Sequence, residues 1–142
     1  MAKARFTYAP SNGLPHHERA VLVWELLARS YAPRFEIVTY GALGKRANFN
    51  PHFAGSILNF PMRWCLLNGL PLITSIVVQL QTGKPGPGFL NTFPGMDLQQ
   101  EQMAAFRFDW SVVERPSAQE MVEAVEKTTG NEEEFYNPVA AA

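Results

Sequence analysis

The sequence predicts an α+β fold of winged-helix type, a helix-turn-helix followed by a β-hairpin, with additional helices toward the C-terminus. Two observations support this prediction. Residues 39–60 read as two short helices separated by a tight, Asn-containing turn. An apolar, β-branched segment, residues 72–80, then leads into the Gly- and Pro-rich residues 82–88. With 142 residues, 46% of them hydrophobic, the chain fits one domain around one core. We place it at residues 1–130, followed by an acidic, disordered tail at 131–142.

The segment before the motif is predicted to hold an extended arm and one long helix. Residues 1–15 combine a short apolar patch with turn residues, which indicates an arm or edge strand and a loop. Over residues 16–32, Val23, Trp24, Leu27 and Tyr31 lie at helical spacing, and Pro33 follows. We therefore expect the first helix to end at this proline and to organise the core.

The helix-turn-helix is predicted from its capping residues. Thr39 is a suitable N-cap for a short helix over 40–47, and Asn48 is suited to the end of that helix. Asn50 and Pro51 then supply a second N-cap and a proline at the first helical position. The second helix should run until Pro61 interrupts it, and residues 62–68 should add a further turn or two before Gly69.

The remaining elements are a wing, two helices and a strand. Residues 72–80 are expected to form a buried strand, and residues 82–88 a rigid turn that places Lys84 at the tip of the hairpin. No helix start is expected directly after this turn. A helix is predicted over 97–108 and a closing strand over 108–113. Ser117 and Glu120 form a capping-box pattern that opens a last helix, which ends near Gly130.

The charge distribution is more informative than the net charge of −1. Residues 1–36 carry five Lys/Arg and three Asp/Glu, residues 37–96 carry four and none, and residues 97–142 carry three and ten. A surface without carboxylates can approach phosphates without like-charge repulsion. The central segment is therefore compatible with a nucleic-acid-facing surface, although an uncharged, core-rich segment gives the same count.

The sequence gives no support for catalysis, a metal site or a cofactor. The three histidines have no nucleophile or carboxylate partner at a recognisable spacing, and adjacent His16 and His17 are expected to be solvated. The single cysteine, Cys65, lies in an apolar run, where a buried, inert thiol is expected. The glycines of residues 83–88 lack the spacing of a phosphate-binding loop. Three acids lie at helix-surface spacing, which predicts a solvated face: Glu120, Glu123 and Glu126.

The chain is predicted to be a soluble cytoplasmic protein. No apolar run approaches the length of about 20 residues that a bilayer requires. The basic N-terminus is followed by polar residues and not by the apolar core of a signal peptide. One cysteine cannot form an internal disulfide, which also favours a reducing compartment. A homodimer is compatible with such a fold, although no feature of the sequence requires one.

Candidate DNA-contacting residues come from both helices of the motif and from the wing. The start of a recognition helix reaches base edges, while cationic and polar neighbours hold phosphates. Asn suits adenine, and Lys and Arg neutralise phosphate. The two turn asparagines are equally well explained as helix caps. The predicted DNA-binding residues are Lys45, Arg46, Asn48, Asn50, His52, Ser56, Asn59, Arg63 and Lys84.

Residues 39–83 resemble the winged-helix domain of alkylguanine DNA alkyltransferases and alkyltransferase-like proteins. The residues that carry the resemblance are Thr39-Tyr40-Gly41-Ala42-Leu43, Pro51-His52-Phe53-Ala54-Gly55-Ser56-Ile57-Leu58, Pro71 and Thr82-Gly83. The resemblance implies a winged-helix scaffold that holds DNA, with His52 at the position of the family's base-flipping arginine. The family's Pro-Cys-His-Arg sequence is absent, because Leu72, Ile73 and Thr74 follow Pro71, and residues 61–70 separate the helix from the strand. The resemblance therefore implies no alkyl transfer.

Two functions remain open at this point. The first is a non-catalytic DNA-binding protein, a regulator or the DNA-contacting part of a larger assembly, that contacts duplex DNA through the second helix and the wing. The second is a protein-interaction module, an adaptor or inhibitor, in which the acidic C-terminal region addresses a basic partner. The aromatic residues proposed for that surface are Phe49, Phe53, Phe60, Trp64 and the loop from Phe89 to Phe93. A further possibility is that the acidic tail folds over the basic face and tunes binding.

Overall fold

The computed structural model describes residues 14–136 and has a mostly helical α+β fold. Two strands, β1 (Val38–Thr39) and β2 (Val77–Val78), pair in parallel, with Val38 opposite Val77. The helices are α1 (His16–Leu26), α2 (Tyr40–Ala47), α3 (Ala54–Leu67), α4 (Pro87–Thr92), α5 (Leu98–Arg107), α6 (Ala118–Thr128) and α7 (Glu132–Phe135). The α+β class is thus confirmed. The arm was predicted for residues 1–15, and residues 1–13 of it lie outside the described residues.

The core is built around α3, which packs mainly against α6 and α1. The three tryptophans of the chain meet here. The fully buried ring of Trp24 on α1 makes edge-to-face contacts with Trp64 on α3, at 5.9 Å between centroids, and with Trp110, at 6.3 Å. Aromatic pairs favour this geometry, and each ring buries a large apolar area. The first helix, predicted to organise the core, contributes its buried Trp24, whereas α3 is the central element.

The first helical segment continues farther than α1 itself. A π-helical turn, Leu27–Tyr31, and a 3-10 turn, Ala32–Arg34, extend it. Pro33 lies within the 3-10 turn and not after the end of the helix. Phe35 then adopts a left-handed conformation with φ 57°, which ends the segment. The predicted end point is correct to within two residues.

Pro61 does not interrupt the second helix of the motif. Helix α3 runs without a break from Ala54 to Leu67 and contains Pro61 in a buried position. A proline inside a helix costs about 3 kcal/mol, because it removes one hydrogen bond and crowds the preceding turn. The apolar face of α3, with Ile57, Leu58 and Met62 buried against the core, offsets this cost. Tertiary packing therefore overrides the local preference that predicted a break.

The predicted β-hairpin does not form in the described part of the chain. Residues Ile73–Ile76 are a 3-10 helix, and β2 pairs with β1 and not with a following strand. Gln79 and Lys84 instead close a tight loop, in which the Gln79 N–H donates to the Lys84 carbonyl at 2.8 Å. Pro85 and Pro87 have no N–H to donate to a returning strand. Helix α4 begins at Pro87, so the prediction that no helix follows this turn is also wrong.

Two C-terminal predictions hold and two do not. The capping box of α6 is present, with the Ser117 side chain and the Glu120 side chain satisfying each other's backbone N–H groups. The expected closing strand is instead a 3-10 turn, Trp110–Val112. The helix predicted over 97–108 is present as α5. Residues 132–135 form α7 rather than a disordered tail, and residues 137–142 lie outside the described part.

No helix among the described residues is long and apolar enough to cross a membrane.

The acidic face predicted on the helix that Ser117 caps is present: the side chains of Glu120, Glu123 and Glu126 are all exposed on α6. Cys65 is fully buried, as predicted. His16 and His17, expected in solvent, are instead partly buried, and their rings lie against Phe53 and Phe60.

Candidate functional site

The turn between α2 and α3 has the capping geometry that the sequence predicts. Thr39 accepts a hydrogen bond from the Ala42 N–H at 3.1 Å, and Asn48 ends α2 in the left-handed region with φ 60°. Asn50 accepts from the His52 N–H at 2.9 Å and opens a 3-10 turn, Pro51–Phe53, that leads into α3. Gly44 permits the tight turn, because a Cβ there would lie 2.7 Å from the Phe49 carbonyl oxygen.

The structure distributes the nine predicted DNA-contacting residues over three environments. Asn50 and Asn59 are partly buried, and their side-chain oxygens already accept hydrogen bonds within the protein. Arg63 is buried. The side chains that remain exposed are Lys45, Arg46, Asn48, His52, Ser56 and Lys84. Of these, Arg46 lies over the Tyr31 ring, with its guanidinium carbon 5.4 Å from the ring centroid.

Arg63 points into the protein and not toward a surface that DNA could reach. Its side chain is 8% exposed and forms an ion pair with Glu132 at 2.7 Å. It also donates to the Thr128 hydroxyl at 3.2 Å and to the Asn59 carboxamide oxygen at 2.9 Å. Arg63 therefore does not belong to a DNA-contacting surface in this structure. The reason is α7, whose glutamate supplies a partner that the sequence did not predict.

A partly open cavity of about 540 Å³ lies beside the start of α3. Its lining residues come mainly from α3 and from Gly86 and the α4 residues that follow it, and Tyr40 and Thr74 contribute as well. None of the residues that line the cavity carries a charge. The lining residues are Tyr40, Pro51, Ala54, Gly55, Ser56, Leu58, Asn59, Met62, Thr74, Gln79, Gly86, Pro87, Gly88, Phe89 and Thr92. Such a volume and such a mixed apolar and polar lining are typical of small-molecule sites.

Several polar groups converge on this cavity. The Tyr40 hydroxyl accepts a hydrogen bond from the Gly86 N–H at 2.7 Å, which fixes the loop against α2. Burial raises the pKa of Tyr40, so its hydroxyl keeps its proton at neutral pH. The Thr74 hydroxyl is buried and has no hydrogen-bond partner. A buried hydroxyl without a hydrogen-bond partner costs free energy, and because this oxygen has almost no accessible surface, Thr74 lines the cavity without offering its hydroxyl to an occupant.

The cavity offers hydroxyl groups, such as that of Ser56, without a base to activate them and without metal-binding side chains. No histidine or acid lines it, and Cys65 lies buried elsewhere, where burial raises the pKa of its thiol to about 12. Within residues 14–136, no group of three His, Cys, Asp or Glu side chains could hold a metal ion. What the arrangement offers chemically is neutral binding, with apolar walls and hydrogen-bonding edges.

The sequence analysis did not identify the main residues of this cavity. The sequence predicts a strand for Thr74 and Gln79 and a rigid turn for residues 82–88. It names Tyr40 only at the start of a helix and within the family resemblance. No local pattern marks Thr74, because a single threonine in an apolar run is ordinary in a strand. Ser56 and Asn59 are the two predicted contact residues that line the cavity, and His52 is adjacent to Pro51 at its rim.

The aromatic residues proposed for a protein interface are not exposed. Phe49 and Phe93 are buried, and Phe53, Phe60, Trp64 and Phe89 are partly buried. These residues therefore do not form the exposed apolar patch that was predicted for them. The large apolar side chains that the described chain does expose are Leu22, Phe35, Ile37, Leu80, Met103 and Val112.

Comparison of the chain with protein-family models, with curated proteins and with solved structures finds no match.

Proposed function

We propose that this chain is a non-catalytic DNA-binding protein that contacts duplex DNA through the exposed start of α3 and the loop 79–84. The cavity beside them accepts one base turned out of the duplex. The observation that carries the proposal is the uncharged cavity of about 540 Å³ that α3 lines and that Gln79 of the loop reaches. A nucleobase is neutral, with apolar faces and polar edges. It matches a pocket with Met62 and Phe89 on its walls and Tyr40 and Asn59 at its edges.

The surroundings of the cavity suit the phosphate backbone. Residues 37–96 contain no carboxylate, and Lys45, Arg46 and Lys84 are exposed. Cations placed around an uncharged pocket bind phosphates while the pocket takes the base. The resemblance of residues 39–83 to the alkyltransferase winged helix supports the same arrangement, since it places His52 where that family carries its base-flipping residue.

The exposed side chain of Leu80, in the loop 79–84, also supports the proposal. Its side chain is 79% exposed, although it directly follows Gln79, which lines the cavity. DNA-binding proteins that unstack bases insert apolar side chains such as leucine between base steps. An exposed leucine at the rim of a base-sized pocket is therefore consistent with a wedge that fills the space left by the base.

The experiment is fluorescence anisotropy of labelled duplex and single-stranded DNA at low and moderate salt. The test variant is Ser56→Glu, which adds a negative charge in the first turn of α3. An acid near a helix N-terminus stabilises the helix, so loss of binding would come from repulsion of phosphate or from filling of the cavity that Ser56 lines, and not from unfolding of α3. The matched control is Gln119→Glu, in the first turn of α6. We expect micromolar binding that Ser56→Glu weakens at least tenfold and Gln119→Glu leaves unchanged. Absence of binding at low salt would contradict the proposal.

The second candidate is a protein-interaction module, favoured by a different apolar patch. Phe35 is 53% exposed and stacks on Phe106 at 5.3 Å between ring centroids. Ile37 and Met103 add exposed apolar surface on the same two segments. Hydrophobic interfaces respond weakly to salt, whereas phosphate contacts respond strongly. A partner bound with salt-independent affinity that Phe35→Ser abolishes would support this candidate.

A further inference from the structure

Phe35 adopts a backbone conformation that bulky residues rarely take. Its N–H donates to the Ala32 carbonyl at 3.0 Å, and the Glu36 N–H donates to the Tyr31 carbonyl at 3.0 Å. These two bonds form a Schellman motif, which ends the first helical segment. The left-handed position of the motif, here Phe35 with φ 57°, is usually glycine or asparagine, because a bulky side chain makes this conformation costly. The sequence therefore places an aromatic residue where a smaller one fits the turn at lower cost.

The side chain of Phe35 belongs to an exposed apolar patch. It is 53% exposed and stacks on Phe106 of α5, with 5.3 Å between the ring centroids. Ile37 is 44% exposed, and Met103, one turn before Phe106 on α5, is 37% exposed. The patch has two sides: the loop side, residues 35–37, and the α5 side, residues 103–107. A residue held in a costly conformation with its side chain in solvent indicates a role for that side chain beyond the fold.

The two sides of the patch are complementary to each other. Each supplies one phenylalanine and one further large apolar side chain. The exposed charges are opposite, with Glu36 on the loop side and Arg107 on the α5 side, and Arg34 and Asp109 just outside the patch repeat this opposition. Within residues 14–136, neither Glu36 nor Arg107 forms an ion pair. Such a surface suits a copy of itself, because in a two-fold dimer each side can face the other side on the partner.

We infer that this patch binds a second copy of the chain in a two-fold dimer, with the loop side of each protomer on the α5 side of the other. Glu36 of each copy then faces the partner's Arg107, and the apolar side chains of the two sides cover each other. Few residues form the patch, so the dissociation constant should be micromolar. The inference does not depend on DNA binding, since no residue of the patch lines the cavity, and it goes beyond the second candidate function by naming the partner.

The first experiment is sedimentation equilibrium of the full chain without DNA, over concentrations on the order of 5 to 500 µM. We expect the mean mass to rise from that of one chain toward that of two. The test variant is Phe35→Asn, because asparagine tolerates the left-handed conformation and removes the ring. It should weaken association at least about tenfold, while stability in urea at the lowest concentration is no lower than that of the unmodified protein. A purely structural role of Phe35 would give the opposite, lower stability with unchanged association.

A charge exchange tests whether the partner is a second copy. Glu36→Arg and Arg107→Glu each place like charges opposite each other in the dimer, so each variant alone should associate at least about tenfold more weakly. In an equimolar mixture, one copy of each variant restores opposite charges at both contacts. We therefore expect the mixture to dimerise about as well as the unmodified protein. The matched control is Glu126→Arg, an exposed position on α6, which makes the same change of charge and should leave association unchanged.

Three results would overturn the inference. The first is a mass of one chain over the whole concentration range. The second is association that Phe35→Asn leaves unchanged, since the interface would then lie elsewhere. The third is a mixture of Glu36→Arg and Arg107→Glu that stays as weakly associated as either variant alone, since these charges would then not face each other. Because no DNA is present, all three results leave the proposed function standing.

Discussion

The salt dependence of DNA binding can be worked out from the exposed cations around the cavity. Three cations of the acid-free segment 37–96 are exposed and can contact phosphates beside the cavity: Lys45 and Arg46 at the end of α2, and Lys84 in the loop 79–84. Each phosphate neutralised contributes about −0.9 to the slope of log K against log salt for duplex DNA. Three contacts give a slope of about −2.7 and an affinity loss of about 40-fold between 50 and 200 mM salt.

Removing one cation tests this reasoning. Lys84→Gln should change the slope to about −1.8 and the loss over the same salt range to about 12-fold. The assay is anisotropy of a labelled duplex at four or more salt concentrations. The control is Lys127→Gln, an exposed cation on α6, which should leave the slope unchanged. The reasoning is refuted if the unmodified protein shows a slope near zero, or if Lys127→Gln lowers the slope as much as Lys84→Gln does.

Four further predictions concern the fold around the site. Arg63→Met should lower the free energy of unfolding, measured in urea, by about 2 to 4 kcal/mol, because it removes a mostly buried ion pair with Glu132. A decrease of less than about 0.5 kcal/mol would show that this ion pair contributes no more than a solvent-exposed one. Glu101, buried and hydrogen-bonded to the Leu72 N–H at 2.9 Å, has a pKa raised mainly by burial. Its contribution to stability is therefore present at low pH and lost as the pH rises through that raised pKa. Glu101→Gln should flatten the stability profile between the ordinary carboxyl pKa and this raised pKa and should raise stability at neutral pH; an unchanged profile would argue against burial as the cause. Burial raises the pKa of the Cys65 thiol to about 12, so we expect Cys65 not to react with a thiol reagent in the native protein and to react fully in denaturant. Rapid reaction of the native protein would show that the thiol is accessible. Ser117→Ala should cost about 1 kcal/mol of stability in urea unfolding, because it removes the capping box of α6, and a cost near zero would mean that water replaces the cap.

Local chemistry made part of the site predictable. Thr39, Asn48, Asn50 and the Ser117 capping box act within a few residues of chain, and the structure has each of them as predicted. Such caps depend on one side chain and the nearest backbone N–H, so the sequence alone contains the information. The exposed polar residues at the start of α3 follow from the same caps, since these fix where the helix begins.

Contacts between distant residues were not predictable in the same way. Arg63 was assigned to a surface because its sequence neighbours do not show that Glu132 and Thr128 will surround it. The cavity has the same origin: Tyr40, Thr74 and Gly86 are far apart in sequence and meet only because α2, the β pair and α4 pack together. A short β-branched run such as residues 72–80 is also ambiguous, and here only Val77 and Val78 form a strand.

The sequence by itself determined α1, α2, α5 and α6, the caps at Thr39, Asn50 and Ser117, the buried state of Cys65 and the absence of acids from residues 37–96. Each of these follows from composition or from interactions over a few residues. The tertiary structure alone decided that α3 continues through Pro61, that the strands pair in parallel, that Arg63 is buried and that a cavity forms beside α3. The physical reason is that packing of whole faces against one core contributes more free energy than any local preference, and its outcome depends on residues that are far apart in the chain.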